Sequence, residues 1–175
     1  MFFNLRTALA AVVIAAVAAP AMAQTSATQS TSATVKIVQP ITLTKNSDLA
    51  FGTVVKPTSG SNTVTISTSS DTPALTGAGD AALATSTTSR ADFTVGGEGG
   101  QTFSITAPAS VNMTRSGGSE TLAVTLTKSA ASGSLSGSIG SAGTASFDVG
   151  GAFTVNSSTV SGAYSGSFNT TVAYN

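Results

Sequence analysis

The residues of this chain that could carry out acid–base chemistry are few, and almost all are carboxylates and hydroxyls. The 175-residue sequence contains no histidine and no cysteine, so the usual general base, thiol nucleophile and transition-metal ligands are missing. Asp92 and Glu98 are close enough in sequence to be considered as the paired carboxylates of a glycosidase. No second motif supports that pair. We therefore interpret both residues as solvated turn residues.

The serine-rich and glycine-rich motifs give no stronger indication of catalysis. Ser165 and Ser167 flank Gly166, but no G-x-S-x-G motif accompanies them. The VGGEGG run at 95–100 lacks the spacing of a phosphate-binding loop, and the sequence after it does not favour a helix. No calcium-binding loop motif occurs either. We predict that the chain is not an enzyme and has no catalytic residues, no metal ligands and no cofactor.

Charged residues make up only 8% of the chain, whereas about 25% is usual. The surface must therefore consist largely of serine, threonine, asparagine and glycine. Without a basic patch to neutralise phosphates, we expect no nucleic acid as a partner.

Residues 1–23 have the three parts of a secretory signal peptide. Arg6 gives a positive start, residues 8–19 form an apolar run, and Ala21-Met22-Ala23 is a small-x-small cleavage site. The apolar run is shorter than the roughly 20 residues needed to span a bilayer. We expect an exported chain with no membrane span after cleavage. Because it lacks cysteine, it must be held together by its core or by its partners.

The rest of the chain is predicted to be all-β. Residues 24–31 are small and polar and are expected to form a flexible tail. From residue 32 to residue 175, about ten short alternating segments are separated by Gly, Pro or Asn, which indicates an antiparallel sandwich or barrel. The first predicted strand is SATVKIV at 32–38. Turns are predicted at VGGEGG and at Gly150-Gly151, each joining two strands of a hairpin.

The last fourteen residues, Gly162–Asn175, show the clearest alternation of the chain. Because a strand has period two, one face is bulky and apolar and the other is small and mostly polar. The residues that we assign to a chaperone- or subunit-interaction strand lie on the first face: Gly162, Tyr164, Gly166, Phe168, Val172 and Tyr174. We predict a core strand, or a strand that pairs with another protein.

The sequence resembles two known families. The run ATVKIVQPITLTKNSDLAFGTVV at 33–55, GEGG at 97–100 and the ending Y-x-G-x-F-x-x-x-V-x-Y-N are similar to the bacterial secreted domain family DUF4402. The same layout is similar to chaperone–usher pilins of the spore coat protein U type. The terminal glycine and the penultimate tyrosine resemble the chaperone-recognition signature of those pilins.

The pilin resemblance implies an immunoglobulin-like antiparallel β-sandwich that lacks one strand. In that family a periplasmic chaperone, and then the N-terminal extension of the next subunit, supplies the missing strand. It further implies an usher, transit through the periplasm and a final location at the cell surface or outside the cell. Two sets of alternate residues could form the donor strand, and the sequence leaves the choice between them open. One set has small or polar side chains, Ala27, Gln29 and Thr31. The other is more apolar, Ala33, Val35 and Ile37.

Three functions are thus considered. The first is a pilin-like structural subunit that polymerises by strand donation. The second is a self-contained secreted β-sandwich that serves as a coat, matrix or adhesion module. The third is a secreted hydrolase that uses carboxylates such as Asp92 and Glu98, for which no motif is found.

Overall fold

The computed structural model describes residues 26–175, and the predicted signal segment lies outside the described residues. The chain divides after Val35 into two units. Residues 26–35 contain no helix or strand, and each is exposed. The second unit, Lys36–Asn175, contains thirteen strands. These are β1 Thr42–Ser47, β2 Thr53–Val55, β3 Ser61–Ile66, β4 Ala74–Gly77, β5 Ala82–Ala84, β6 Ala91–Glu98, β7 Thr102–Thr106, β8 Ser110–Arg115, β9 Thr121–Lys128, β10 Ser132–Ser134, β11 Ala142–Asn156, β12 Tyr164–Ser165 and β13 Thr171–Tyr174.

The largest sheet has eight antiparallel strands in the order β1-β6-β11-β9-β8-β12, with β3 paired to β11 and β4 paired to β3. Strand β11 is its central element. On one edge, its first half pairs with β6 and its second half pairs with β3. On the opposite edge its middle pairs with β9. One fifteen-residue strand therefore connects most of the sheet.

Two smaller sheets complete the domain. Strands β10, β7 and β13 form one, and β2 and β5 form the other. Their apolar side chains share a single core with the large sheet: Phe103 and Ile105 of β7 are buried with Val95 of β6 and Val149 of β11. All pairings between strands are antiparallel. The expected all-β antiparallel sandwich is confirmed.

Two aromatic pairs hold the core. The rings of Phe93 on β6 and Phe147 on β11 lie opposite each other in register and stack 5.1 Å apart. Phe51, which precedes β2, meets Phe153 of β11 edge to face at 5.0 Å. Because the second pair joins the β2 region to the central strand, it fixes one wall of the groove described below.

The predicted turn at Gly150-Gly151 is wrong, since both glycines lie inside β11. Neither has a positive φ. A Cβ at Gly150 would lie 2.4 Å from the carbonyl oxygen of Ile66, and one at Gly151 would lie 3.0 Å from the Leu49 side chain. The pair is therefore required for close packing where β11 changes partner, not for a reversal of the chain.

The predicted hairpin around VGGEGG is also wrong. Strand β6 continues through Gly96 and Gly97 to Glu98, and β7 joins a different sheet, so the two strands do not pair. The chain turns at Gly99 and Gly100, where Gly100 has φ 71°. The backbone N–H groups of this turn bond to Ser141 and Leu135 rather than across a hairpin.

The strand predicted at 32–38 is not formed, because the first strand of the sheet begins at Thr42. A strand needs a partner along its edge, and Pro40 lacks the N–H that would continue the pairing of β1. Val35 and Ile37 are left 84% and 82% exposed. The apolar alternation at 33–37 is therefore outside the sheet of its own chain.

Buried Asn62 stabilises the connection between β3 and β5. Its amide donates to the carbonyl oxygens of Thr76 and Gly79 at 3.2 and 3.1 Å, and its carbonyl oxygen accepts from the N–H of Ala81 at 3.0 Å. We expect Asn62→Ala to lower the free energy of unfolding by about 1–3 kcal/mol, because three backbone groups lose the hydrogen bonds made by a buried side chain. Urea unfolding measures the change. Asn112→Ala on an exposed position of β8 is the control, and an equal loss in both variants would contradict the assignment.

Asp80 makes stability depend on pH. Its carboxylate accepts hydrogen bonds from the Thr58 hydroxyl and from the N–H groups of Ser59 and Thr58, and these bonds hold its pKa below the ordinary value of 3.8. A pKa lowered by folding gives stability that is fully present above the unfolded pKa and is lost as the pH falls through the folded pKa. We expect wild type to be more stable than Asp80→Asn at pH 7, with the difference shrinking below about pH 4. Urea unfolding from pH 7 to pH 2 tests this, and a constant difference would refute it.

Candidate interaction groove

The terminal segment consists of two short strands in different sheets rather than one strand. Strand β12 pairs with β8, with Tyr164 opposite Arg115. Strand β13 pairs with β7, with Val172 opposite Ile105 and Tyr174 opposite Phe103. Residues 166–170 lie between them and form no strand. The prediction of a single continuous strand is therefore wrong, and the reason is that the chain passes from one layer of the sandwich to the other.

The predicted alternation is nevertheless present. Tyr164, Phe168, Val172 and Tyr174 are half-buried, as is Thr170 on the same face, and the residues directly before and after each of them are exposed. Gly162 and Gly166 are exposed but closely approached. A Cβ at Gly162, which has φ 155°, would lie 2.8 Å from the Arg115 side chain, and one at Gly166 would lie 2.6 Å from the carbonyl oxygen of Asn112. The two glycines let the segment lie against β8.

Beside this segment runs an open groove. Its larger cavity, about 550 Å³, lies between the β2 region and residues 159–164. The floor is apolar and is formed by Met113, Leu122, Phe153 and Val155. Leu49, Phe51 and Val54 line it on the β2 side, and Val160 lines it on the other side.

A second cavity of about 240 Å³ continues along the same segment. It lies between the β1 region, with Lys45 and Asp48, and residues 166–168. Leu49 lines both cavities. We call the two cavities together the terminal groove. It is bounded on one side by residues 45–56 and on the other by residues 159–168.

Both sides of the terminal groove have backbone with spare hydrogen-bonding capacity. Strand β2 is paired only to β5, and β12 is paired only to β8. No residue of β5 lines the groove, so β5 covers the other edge of β2. Within the described chain, Thr170 Oγ1 is a buried side-chain polar atom without a partner, and it lies in the unpaired stretch between β12 and β13. Unpaired edges on both sides of an apolar floor are the requirements for adding a strand.

The two lysines that line the groove have partners within the chain. Lys56 donates to the carbonyl oxygens of Ser157 and Thr159, both at 3.1 Å, and so joins the two sides at one end. Lys45 forms a salt bridge with Asp48 at the other end. Neither lysine is therefore left unengaged at the groove.

Arg115, which underlies Gly162, is paired as well. Its guanidinium bonds both oxygens of Glu120, at 2.7 and 3.2 Å. These hydrogen bonds lower the pKa of Glu120 and raise the pKa of Arg115. The two charges compensate each other across the turn between β8 and β9, and neither is left free to attract a ligand.

The carboxylates considered for hydrolysis are far apart. Asp92 and Glu98 lie at opposite ends of β6, six residues apart, which is about 20 Å along a strand. Paired glycosidase carboxylates are at most about 9.5 Å apart, so these two do not form such a pair. The interpretation of Glu98 as a solvated turn residue is wrong, since it is 3% exposed.

Two further findings concern the described residues, 26–175. They contain no cluster of three or more acidic, histidine or cysteine side chains that could hold a metal ion. Among the same residues, no helix has the length and apolar character needed to cross a membrane.

The residues predicted as donors are all exposed and lie outside every strand: Ala27, Gln29, Thr31, Ala33, Val35 and Ile37. Sequence reasoning missed part of the groove lining, namely Val54, Met113, Leu122, Val155 and Val160. Their alternation marks Val54, Met113, Leu122 and Val155 as apolar positions of strands, but it does not indicate that these strands surround a common opening.

The terminal aromatics differ in what they stabilise. Phe168 is half-buried beside the smaller cavity, whereas Tyr174 also accepts a hydrogen bond from Glu98 N–H and donates one to the carbonyl oxygen of Gln39. We expect Phe168→Ser to lower the free energy of unfolding by about 1 kcal/mol and Tyr174→Ser by about 3 kcal/mol. Denaturant unfolding of both variants is the measurement. A larger loss for Phe168→Ser would contradict this order.

A family model described as "Domain of unknown function (DUF4402)" matches residues 41–174. Comparisons with the curated proteins and with the solved structures found no match. The family match covers nearly the whole β domain, from the residue before β1 to the end of β13. The chain belongs to the DUF4402 family.

Proposed function

We propose that this chain is a secreted, pilin-like structural subunit that polymerises at the cell surface by β-strand donation. The observation that carries the proposal is the exposure of Val35 and Ile37, 84% and 82%, in a segment that forms no strand in its own chain. Large apolar side chains at alternate positions are the pattern of an edge-binding strand. Leaving them in water is unfavourable by about 1.5–3 kcal/mol each relative to full burial.

The acceptor on this proposal is the terminal groove. A strand lying in it would place alternate side chains over Met113, Leu122 and Phe153 while its backbone bonds to β2 and to the terminal segment. Val35 and Ile37 are two residues apart, so both would point to the same face. Of the two candidate donor sets, this favours Ala33, Val35 and Ile37 over Ala27, Gln29 and Thr31, whose side chains are too small or too polar to fill an apolar groove.

An open groove with unpaired edges is prone to aggregation. The proposal therefore includes a periplasmic chaperone that covers the groove before assembly and an usher that exchanges it for the next subunit. Export through the signal peptide at 1–23 precedes both steps. The half-buried Tyr164 and Phe168 beside the groove are the side chains that a chaperone strand would contact first.

A second candidate is a self-contained secreted sandwich that acts as a coat, matrix or adhesion module. It is favoured by the continuous core of Lys36–Asn175, which includes Val64, Val95 and Val149 at 0% exposure and needs no residue before Ile41. The two candidates differ in whether residues 33–38 become protected from solvent. A chain that remains monomeric at high concentration, with these residues exchanging freely, would favour the second.

The test is the assembly of the chain that begins at Gln24. We expect the double variant Val35→Asn, Ile37→Asn to remain folded but to lose affinity between subunits by about a hundredfold or more, since at least about 3 kcal/mol of apolar burial is removed. Sedimentation velocity and electron microscopy of filaments measure the loss.

The matched control is Thr34→Asn, Lys36→Gln, which changes the other face of the same segment and should assemble normally. A deletion of residues 24–31 should also assemble, because it retains Val35 and Ile37. Normal filaments from the Val35, Ile37 double variant would refute the proposal. If deleting residues 24–31 alone abolishes the filaments, the donor residues are instead Ala27, Gln29 and Thr31.

A further inference from the structure

A buried carboxylate holds the first residues of the β domain in place. Glu98 is 3% exposed, and its Oε2 accepts a hydrogen bond from the N–H of Gln39 at 3.2 Å. Its Oε1 accepts one from the N–H of Gly140. The N–H of Glu98 donates to the Tyr174 hydroxyl at 2.7 Å, and that hydroxyl donates to the carbonyl oxygen of Gln39 at 2.9 Å. Both backbone polar groups of Gln39 are thus bonded, and we call this set the Glu98 clasp.

The Glu98 clasp is held by hydrogen bonds to backbone groups rather than by an ion pair. Among the described residues, Glu98 has no salt-bridge partner, so the cost of burying its charge is offset by backbone N–H donors. The adjacent Lys36 is held separately, by a 2.6 Å hydrogen bond from its ammonium group to the side-chain oxygen of Gln101. An uncharged side chain in place of Glu98 would accept from only one of the two N–H groups.

The position of the clasp limits how far the donor residues can extend. Within β6, Phe93 lies opposite Lys45 at the near end of the terminal groove, and Glu98 lies at the clasp. These two residues are five positions apart, which is about 17 Å along a strand. Counted from Gln39, an extended chain places Ile37 at most about 7 Å away and Val35 at most about 14 Å away. With Gln39 held, both distances fall short of the span of about 17 Å along β6 between the clasp and the near end of the groove.

Residues far enough from Gln39 to reach that groove do not fill it. Ala33 and Thr31 are six and eight residues away and can extend about 20 and 27 Å, but these two residues and the preceding Gln29 and Ala27 are small or polar. We infer that the Glu98 clasp prevents the donor segment from occupying the groove of its own chain and so directs Val35 and Ile37 to the groove of a second copy. This inference rests on the proposed function. The resulting contact joins two different surfaces, so it is heterologous and can be repeated from copy to copy along a filament.

Three variants of the chain from Gln24 test the clasp. Glu98→Gln and Tyr174→Phe each weaken it while keeping a similar side-chain shape. The third inserts Gly-Ser-Gly-Ser-Gly-Ser between Val38 and Gln39, which leaves the clasp intact and lets Ile37 extend to about 27 Å. Glu120→Gln, a carboxylate-to-amide change far from Gln39 in the β8–β9 turn, is the matched control. Circular dichroism and thermal unfolding confirm that each variant is folded.

The measurement is hydrogen exchange of residues 33–38 as a function of chain concentration, together with filament yield. In wild type and Glu120→Gln, protection should increase with concentration, as expected for binding between copies. In the three test variants, protection should not depend on concentration, and filament yield should fall. At micromolar concentration the internal contact is favoured by about a thousandfold, because a short linker gives millimolar effective concentrations.

The outcomes distinguish failure of the clasp inference from failure of the proposed strand donation. If the folded test variants show the concentration dependence of wild type, the clasp inference is wrong and strand donation stands. If wild type shows no protection and no filaments at any concentration, with a chaperone present or absent, the proposed function itself fails. The insertion variant remains informative if Glu98→Gln and Tyr174→Phe do not fold, since it changes no residue of the clasp.

Discussion

The close packing around Gly150 and Gly151 is the constraint on which the arrangement of the sheets depends. At these two residues β11 exchanges β6 for β3 on one edge and retains β9 on the other. A side chain at Gly151 would meet Leu49, Val124 and Phe51 at 3.0–3.2 Å. Leu49 and Phe51 line the terminal groove, so the absence of a side chain on the central strand also sets the position of the groove wall.

A second constraint acts where the two ends of the β domain meet. There the backbone polar groups must find hydrogen-bond partners. Near Glu98, the backbone of Gln39 is fully bonded by the carboxylate and by the Tyr174 hydroxyl. Farther along, at residues 166–170, the terminal segment has no strand partner. A buried polar group without a partner is costly, and Thr170 Oγ1 is such a group. The terminal segment is therefore open only between β12 and β13, and this stretch borders the groove that the proposed strand addition would fill.

Much of the fold follows from local patterns. The alternation of Val64 with Ile66, of Phe103 with Ile105 and of Val124 with Leu126 correctly indicated strands with one buried face. Two of the failures lie at glycines. Gly150 and Gly151 were predicted as a turn because glycine favours reversals, but here it permits a close approach of backbone and side chains. Likewise, Gly96 and Gly97 continue β6, and the strands on either side of the VGGEGG run enter different sheets.

The sequence by itself determined the class of structure, the alternating face of the terminal segment, the polar and nearly uncharged surface, and the lack of histidine and cysteine chemistry. These properties depend on residue type and on spacing of two residues, which are local. Only the tertiary structure decided that the segment at 33–38 forms no strand, that the terminal segment is divided between two sheets, and that Glu98 is buried against Gln39 and Tyr174. Each of these depends on which strands become neighbours, and the neighbours are separated by up to 135 residues of chain. Pairing at that distance is set by the packing of the whole core, and no single stretch of sequence is sufficient to determine it.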